Sequence, residues 1–259
     1  MNIQQNISQQ NYLSTTAATN NDLARNFAKR FVTVMATTKE LVEKVQRLRY
    51  QVYCVENSYE DPACFPDGRE HDEFDNNAIQ GLLFDKTIQS IAGTVRLILP
   101  RPGKLGQRLP IQTLCQHHLL LDERLLAGNS AEISRFAISK EYRCRACSQL
   151  RCNGSDRSIR SAAADEQLLV NIALGLIKGI VQMSATHGIT EIFAVMEPAL
   201  LRLLGRFAIY FSTLGPLVKY HGMRQPCYLN RDAMLQRVRL ERPAVWDVIT
   251  DYGRWHGVA

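Results

Sequence analysis

The sequence contains two charged residues inside a predicted strand, and their position there suggests a chemical role. Residues 131–139 have the mixed polarity of a partly buried strand, and Glu132 and Arg135 lie within it. Alternate side chains of a strand share a face, so we expect Glu132, Ser134 and Phe136 on one side. Arg135 is expected on the other side. At least one of the two charges then lies in the interior or at a cleft, and a buried carboxylate needs a partner.

A predicted helix and an acidic cluster supply further candidates. Apolar residues between positions 41 and 52 recur at helical spacing, and Arg49 and Tyr53 lie one turn apart near the end of that helix. The cluster Glu70-x-Asp72-x-x-Asp75 follows a proline-containing loop. Arginines on amphipathic helices and acidic runs before strands are usually solvated, so a purely structural role stays open for both groups.

Cysteine offers a different chemistry. Cys144-x2-Cys147-x4-Cys152, with His117 as a fourth ligand, would suit zinc. Only one Cys-x2-Cys pair is present and the next spacing is irregular, so we predict no metal site. The seven cysteines are an odd number without an export signal, which is typical of reduced thiols in the cytosol. We interpret His221 as a structural histidine rather than a catalyst.

The net charge of +6 and the pI near 9.0 favour an acidic partner. The sequence has neither zinc-finger spacing nor an RNA-binding aromatic signature, so we predict no nucleic-acid binding, although a basic nucleic-acid-binding protein remains an alternative. The most apolar stretch, 168–185, is interrupted by Asn171, Lys178 and Gln182. These would be costly to expose to lipid, so we predict a core helix and no membrane span.

The hydrophobic patterns predict alternating strands and helices in one domain, 25–259, after a flexible polar tail, 1–24. Gly188 marks the left-handed end of a long helix that begins near residue 163. The segment 140–161 is basic and unperiodic, and we predict a mobile loop there. The remaining predicted elements are strands at 31–35, 78–84, 91–99, 189–195, 217–220 and 228–229, and helices at 114–126 and after Pro198.

Four sequence blocks together resemble the acyl-homoserine-lactone synthases and N-acyl amino acid synthases, a branch of the GNAT superfamily. In chain order these blocks are Arg49-x3-Tyr53, Glu70-x-Asp72-x-x-Asp75, Gly93-Thr-Val-Arg96 and Glu132-x-x-Arg135-Phe136. An even closer resemblance is to acyltransferases associated with the PEP-CTERM/exosortase system. It is carried by Arg49-Tyr-Gln-Val-Tyr-Cys-Val-Glu56, Glu132-Ile-Ser-Arg-Phe136, Ala194-Val-Met-Glu-Pro198 and Tyr220-His-Gly-Met-Arg-Gln-Pro226. The resemblance covers about residues 30 to 230.

This resemblance implies an α/β GNAT fold, a central mixed twisted sheet flanked by helices, and transfer of a fatty acyl group from a thioester to an amine. It implies catalytic roles for Glu132, as general base, and Arg135. The donor thioester would lie against the backbone of Phe136, Ala137 and Ile138. The residues implied in binding the amine substrate are Arg49, Tyr53, Glu70, Asp72, Asp75 and Arg96. The arginines either hold a substrate carboxylate or lock the acidic cluster, and the sequence does not separate the two roles.

Two departures from the family pattern bear on the substrates. Tyr53 and Tyr59 stand where the lactone synthases have Phe and Trp, which weakens the case for S-adenosylmethionine as the amine substrate. The glycine-rich pyrophosphate loop of coenzyme A-dependent relatives is also missing, and Arg151-Cys-Asn-Gly154 matches it only in part. We therefore expect an acyl carrier protein as donor, in preference to acyl-CoA, with no bound cofactor. Arg143, Arg145 and Arg151 are the candidate docking residues for this acidic partner.

Besides the nucleic-acid-binding protein named above, two alternatives to an amino acid N-acyltransferase stay open from the sequence. One is an acyl-homoserine-lactone synthase that uses S-adenosylmethionine. The other is an inactive acyl-binding or regulatory module with the same fold.

Overall fold

A computed structural model describes residues 23–100, 109–123, 125–126, 128–152 and 159–256. Within these ranges, the described side chains exclude those of residues 147, 149–152 and 159–163. Most of the predicted polar tail, 1–22, lies outside the described residues. Residues 23–30 form helix α1, and Ala24 and Phe27 of this helix are buried in the core. The folded domain therefore includes residues 23 and 24, which we had assigned to the tail.

A mixed sheet of eight strands forms the centre of the described fold. Its order is β1-β2-β3-β4-β5-β8-β6, and β7 pairs with β8. All neighbouring pairs are antiparallel except β4 and β5, which run parallel. The strands are β1 (Phe31–Met35), β2 (Ala78–Asp85), β3 (Ser90–Ile98), β4 (Ser130–Ile138), β5 (Glu191–Met196), β6 (Ser212–Thr213), β7 (Val218–Lys219) and β8 (Met223–Asn230).

Helices cover both faces of this sheet, as the mixed α/β pattern predicts. The α-helices after α1 are α2 (Lys39–Tyr50), α3 (Lys140–Cys152), α4 (Ile159–Thr186), α5 (Pro198–Gly205), α6 (Arg231–Glu241) and α7 (Pro243–Thr250). A π-helical turn, Gln51–Glu56, continues α2. Short 3-10 helices span Pro62–Cys64, Glu73–Asn77, Pro110–Thr113 and His118–Leu120.

Helix α4 packs across β1, β2 and β3 on one face of the sheet. Its segment Ala164–Thr186 is long and apolar enough to span a membrane, but 78% of the apolar window is buried inside the fold. This burial confirms the prediction of a core helix. Gly188 has φ 65°, as expected for a left-handed helix stop, and β5 follows directly.

The opposite face is covered by α2 and by residues 109–126. Leu97 and Ile133 belong to the core under α4, whereas their sequence neighbours Ile98 and Glu132 face residues 109–126. We predicted a helix at 114–126, and this is wrong. The described residues of that range form a 3-10 helix and non-helical segments. Their apolar side chains pack closely against the sheet and do not form one helical stripe.

The segment 140–161 differs from the loop we predicted, since α3 occupies Lys140–Cys152 and α4 begins at Ile159. Only two described residues of α3, Tyr142 and Ala146, are buried in the core. These two residues lie four positions apart and therefore on one side of the helix. The polar residues around them conceal this short apolar stripe in the sequence. The Tyr142 hydroxyl donates to Asp85 at 2.6 Å and ties α3 to β2.

The C-terminal part of the chain is more regular than the sequence suggested. We expected edge strands at 217–220 and 228–229, but β8 lies between β5 and β6 in the sheet. Helices α6 and α7 then return to pack near α4, and Val238 and Ile249 are buried there.

The β4 strand has two irregularities that shape the site. Its parallel pairing with β5 ends at Ile133↔Ala194, so the two strands separate beyond that point. Its pairing with β3 shifts register between Thr94 and Arg96, where β4 contains one extra residue. Arg135 lies at this bulge with φ 50°.

We predict that Gly93→Ala destabilises the β3–β4 junction beside this bulge. A Cβ at Gly93 would lie 2.7 Å from the backbone oxygen of Ala137 and 3.2 Å from Leu176. Because a backbone atom cannot move aside cheaply, we expect the free energy of unfolding to fall by about 2 kcal/mol in urea titrations. Gly205→Ala is the control, since a Cβ at Gly205 would lie 3.4 Å from its nearest neighbour, the Tyr210 ring. Equal midpoints for the two variants would contradict the prediction.

Candidate active site

A cavity of about 770 Å³ lies where β4 separates from β5. Residues from both faces of the sheet line it, including Asp72 and Thr113 on one face and Leu169 and Val170 on the other. Glu132 and the residues from Ile133 to Ile138 form one wall of this cavity. The gap between the strands therefore makes a passage through the sheet.

Arg49 is fully buried on the face of the sheet covered by α2. Its Nε donates to Glu70, and its Nη1 donates to Asp75 at 2.7 Å and to Gln80 at 3.2 Å. Gln80 also donates to Asp75 at 3.3 Å. Gln80 was missed by sequence reasoning, although a glutamine inside the apolar run of β2 was a usable signal.

Arg96 on β3 continues the same network. It donates to Asp72 through Nη1 at 2.6 Å and Nη2 at 2.8 Å, which makes a bidentate pair. Its Nη1 also donates to Asp75 at 2.6 Å, and its Nε donates to Ser134 at 2.9 Å. Asp72 is also the N-cap of the 3-10 helix Glu73–Asn77 and forms a reciprocal capping box with Asp75, the third residue of that helix.

Arg135 joins the network from β4. Its Nη2 donates to Glu70 at 2.8 Å and to Asp72 at 3.3 Å, and its guanidinium lies 4.9 Å from the centre of the Tyr53 ring. We predicted Arg135 on the face opposite Glu132 and Ser134. This is wrong, because the bulge at Arg135 breaks the strand alternation. Phe136, predicted to lie beside Glu132, packs instead against the core under α4.

The network keeps its carboxylates charged in a buried setting. Burial alone would raise the pKa of Asp72, but the hydrogen bonds and charge of Arg96 outweigh it and lower this pKa to about 2. Burial likewise opposes ionisation of Glu70, yet Arg49 and Arg135 together lower its pKa. The arginines and the acidic cluster thus pair with each other, which is one of the two arrangements left open by the sequence.

Glu132 is the exception among the buried carboxylates. Burial raises the pKa of Glu132 to about 8, although the Ile111 amide and the charge of Arg96 oppose this effect. The Ile111 N–H donates to Glu132 at 2.7 Å, and no arginine among the described residues forms an ion pair with it. Glu132 therefore lies on the cavity wall as a carboxyl group that can accept or release a proton near neutral pH.

The backbone of β4 beyond Ile133 faces the cavity rather than β5. This stretch contains Phe136, Ala137 and Ile138, the residues predicted to lie against the donor thioester, and all three line the cavity. The opposite wall is apolar and comes from β5, α4 and α5. It includes Val195, Met196, Leu169, Val170, Leu200 and Leu203.

The N-terminus of α3 also borders the cavity, and it is occupied by a side chain of the protein itself. The carboxylate of Glu56 accepts from the backbone N–H of Lys140 at 2.9 Å and of Glu141 at 3.2 Å, and from the Ser139 hydroxyl at 3.2 Å. The Lys140 ammonium turns back to Glu56 O at 3.0 Å and Asn57 Oδ1 at 2.9 Å. The positive end of this helix is thus already neutralised.

Of the predicted docking arginines, Arg143 and Arg145 lie on α3. Arg143 lines the cavity, and its Nε is buried without a partner among the described residues. Arg145 is exposed and contacts Glu141 at 3.7 Å. The side chain of Arg151 lies outside the described residues.

An aromatic cluster at the polar end of the cavity joins the predicted Tyr53 to Tyr59, Tyr220 and His221, which were not predicted as site residues. The His221 ring stacks on Tyr59 and Tyr220 with centroid distances of 5.3 and 4.4 Å, and its edge faces Tyr53 at 6.2 Å. Tyr53 itself lies on the π-helical turn after α2. The signal in the sequence was the aromatic and histidine content of the segment 220–222, which our structural interpretation of His221 discounted.

Of the three cysteines considered as zinc ligands, the structure describes only the side chain of Cys144, which does not line this cavity. Cys144 is an exposed free thiol, and the side chains of Cys147 and Cys152 lie outside the described residues. Within the described part of the chain, no group of three His, Cys, Asp or Glu side chains could hold a metal ion.

Comparison with known proteins adds an independent observation. Residues 48–153 match the family described as acetyltransferase (GNAT) domain. This range contains Arg49, the acidic cluster, Arg96, Glu132 and Arg135. The chain has the GNAT fold. Its mixed sheet with flanking helices is the architecture expected from the sequence resemblance.

Comparison with solved structures gives three similar proteins, TofI, LasI and FeeM. TofI, in a ternary complex with an inhibitor and MTA, superposes with a TM-score of 0.54 at 20% identity, covering 82% of this chain and 98% of TofI. The AHL synthase LasI gives a TM-score of 0.53 at 16% identity, covering 81% of this chain and 93% of LasI. FeeM, an N-acyl amino acid synthase from uncultured soil microbes, gives 0.46 at 15% identity, covering 82% of this chain and 96% of FeeM. No curated protein sequence matches the chain.

We predict that the buried ion network dominates the stability of this GNAT-fold domain. Arg49→Leu leaves Glu70 and Asp75 without one of their buried partners, so we expect the free energy of unfolding to fall by about 3 kcal/mol. Arg47→Leu is the matched control, because Arg47 is exposed on the same helix. Urea denaturation of both variants checks this. A similar small effect in both would show that the network contributes little.

Proposed function

We propose that this chain is an N-acyltransferase that moves a fatty acyl group from a carrier thioester to the amino group of an amino acid or related amine. The observation that carries the proposal is Glu132, a buried carboxyl group with a raised pKa on the wall of a passage between separated strands. The GNAT fold supports acyl transfer, and the sequence resemblance to N-acyl amino acid synthases and to the PEP-CTERM/exosortase-associated acyltransferases supports an N-acyl product. A cytoplasmic location suits such a donor.

The reaction needs a deprotonated amine, a polarised carbonyl and release of a thiolate. Glu132 acts as general base, directly or through a water molecule. The backbone N–H groups of β4 near Phe136 and Ile138 hold the thioester oxygen at the open edge of the strand. Arg135 fixes this part of β4 through its pairs with Glu70 and Asp72. No covalent enzyme intermediate is required.

The acyl chain fits the apolar side of the cavity. Leu169, Val170, Leu200 and Leu203 from α4 and α5 provide an apolar wall opposite β4. The acceptor then occupies the polar side, where Tyr53, Tyr59 and His221 lie. This orientation places the amine and the thioester carbonyl on the two sides of the gap beside Glu132.

The occupied N-terminus of α3 supports an acyl carrier protein as donor. A helix N-terminus is a favourable site for a phosphate or pyrophosphate, but here Glu56 already accepts its N–H groups. Coenzyme A would have to displace that carboxylate or tolerate its charge. A carrier protein instead presents its acyl group on a phosphopantetheine arm and contributes acidic side chains, which the arginines of α3 attract.

An acyl-homoserine-lactone synthase that uses S-adenosylmethionine is the second candidate. The fold similarity to LasI, which is an AHL synthase, favours it. Tyr53 and Tyr59 disfavour it, because Tyr59 is stacked on His221 and Tyr53 lies under Arg135, so these rings are already in contact with protein groups. A requirement for S-adenosylmethionine in the assay separates the two candidates.

We predict that Glu132→Gln abolishes product formation. The amide cannot accept a proton, so we expect amide formation to fall at least about a hundredfold. Mass spectrometry of lipid extracts from cells that express the wild type or the variant is the measurement, and it identifies both the amine and the acyl chain. The exposed Glu241→Gln is the control.

In the wild type, kcat/KM should rise with pH and level off above about 8, because the base must be ionised. A wild-type rate that is flat between pH 6 and 9 would contradict this assignment.

We also predict a preference for the carrier-bound donor. With the same acyl chain, kcat/KM for the carrier protein thioester should exceed that for the CoA thioester at least about tenfold at low salt, and the difference should shrink as salt increases. Arg145→Glu should slow only the carrier-dependent reaction. Glu56→Ala should raise the activity with the CoA thioester, because it frees the N-terminus of α3. Equal use of both donors by the wild type would contradict the proposed donor.

A further inference from the structure

The tip of the β7–β8 hairpin projects a histidine into the cavity. Tyr220, His221 and Gly222 form the turn, in which the Tyr220 N–H donates to Gly222 O at 2.8 Å. His221 has φ 50° and Gly222 has φ 98°. A non-glycine residue in the left-handed region is uncommon and is found most often where surrounding structure holds it in place. Here the hairpin carries His221 to the same cavity that Glu132 lines.

Contacts on three sides hold the imidazole of His221. Its ring lies nearly parallel to Tyr59 and Tyr220, with interplanar angles of 8° and 12°. Its Nε2 lies 3.4 Å from Oε1 of Glu60. The side chain of His221 keeps 19% of its surface exposed, so its ring is accessible from the cavity.

Charged groups act on this ring from several elements. Burial lowers the pKa of His221, and the charges of Arg135 and Arg224 lower it further, whereas Glu60 and Glu70 raise it. The imidazole is therefore neutral near pH 7 and free to accept a proton. Once the ring is protonated, the nearby Glu60 carboxylate stabilises the imidazolium.

The proposed reaction requires two proton acceptors in sequence. An amine enters as an ammonium group with three N–H bonds, and the amide product of a primary amine retains one. Two protons therefore leave the nitrogen, of which one ends in solvent and one on the departing thiolate. Glu132 is buried and accepts one proton, so it cannot hold both at once.

We propose that His221, supported by Glu60, accepts the first proton from the incoming ammonium group and passes it to solvent. This proposal rests on the proposed N-acyltransferase function. The neutral amine then attacks the thioester carbonyl, so that a C–N bond forms and the C–S bond breaks. Glu132 takes the second proton from the nitrogen and delivers it to the thiolate. The balance is one ammonium and one thioester giving one amide, one thiol and one proton.

The test measures the pH dependence of amide formation by purified wild type and His221→Asn. The acceptor probe is an equimolar mixture of the twenty common amino acids, with a carrier-bound acyl donor. Asparagine tolerates the left-handed backbone, so the hairpin turn is expected to persist. His187→Asn is the matched control, because His187 lies at the end of α4 and bonds only to Met183 among the described residues.

We expect His221→Asn to lower kcat/KM about a hundredfold at pH 7. The loss should shrink to within about threefold near pH 10, where amines arrive already deprotonated. Methoxyamine is uncharged at neutral pH and should be acylated at similar rates by both proteins. Glu60→Gln should give an intermediate shift of the acid limb, and His187→Asn should match the wild type.

Other outcomes overturn the proposal. A loss that is equal at every pH and for methoxyamine would assign His221 a purely structural role. An unchanged profile would show that it takes no part in proton transfer. Absence of product with the wild type itself would contradict the proposed function, and this result is distinct from an active wild type with an unaffected variant.

Discussion

Burial of three arginines is the constraint on which the rest of the structure depends. Arg49, Arg96 and Arg135 come from α2, β3 and β4, and each is at least nine-tenths buried. A buried charge is tolerated only when it is paired, so the acidic cluster must lie between these elements. Glu70, Asp72 and Asp75 meet that need on a short segment between α2 and β2. Loss of one partner leaves the others unpaired, and the network therefore fixes α2, β3 and β4 relative to each other.

This constraint explains the irregular course of β4. Arg135 reaches Glu70 only because a bulge places it on the same face as Ser134, with a positive φ that would otherwise be unfavourable. Several charge-assisted hydrogen bonds offset the cost of that conformation. The bulge follows directly after the point where β4 separates from β5. One edge of β4 therefore lines the cavity, and contacts on its other edge, which pairs with β3, hold the strand in place. Glu132 precedes the bulge and stays on the covered face, where it has an amide partner instead of an arginine.

Local patterns predicted the regular parts of the fold, and long-range contacts decided the rest. The apolar runs of β2 and β3, the stripe of α4 and the stop at Gly188 are properties of neighbouring residues, and all were readable from the sequence. The same reasoning failed at Arg135, because a bulge is imposed by partners some 60 positions away, and at α3, because two buried residues give no visible period. The spacing of Arg49, Arg135 and the acidic cluster made these residues candidates, whereas Arg96 was predicted only from the family resemblance. Gln80, Glu56 and Glu60 were missed, since their roles depend on elements that meet only in the folded chain.

The way in which charged groups around the cavity are paired favours one type of reaction. The buried arginines are neutralised by the acidic cluster, and the N-terminus of α3 is neutralised by Glu56. Beside these paired charges the passage has an apolar wall, the edge of β4 that does not pair with β5, and a carboxyl group whose pKa lies near 8. Such a passage suits an uncharged thioester and an uncharged amine better than it suits phosphate groups or an ammonium ion. In the proposed reaction the ammonium group loses a proton before the amine reaches Glu132, and the hairpin that carries His221 lies at the polar end of the cavity, where that step would occur.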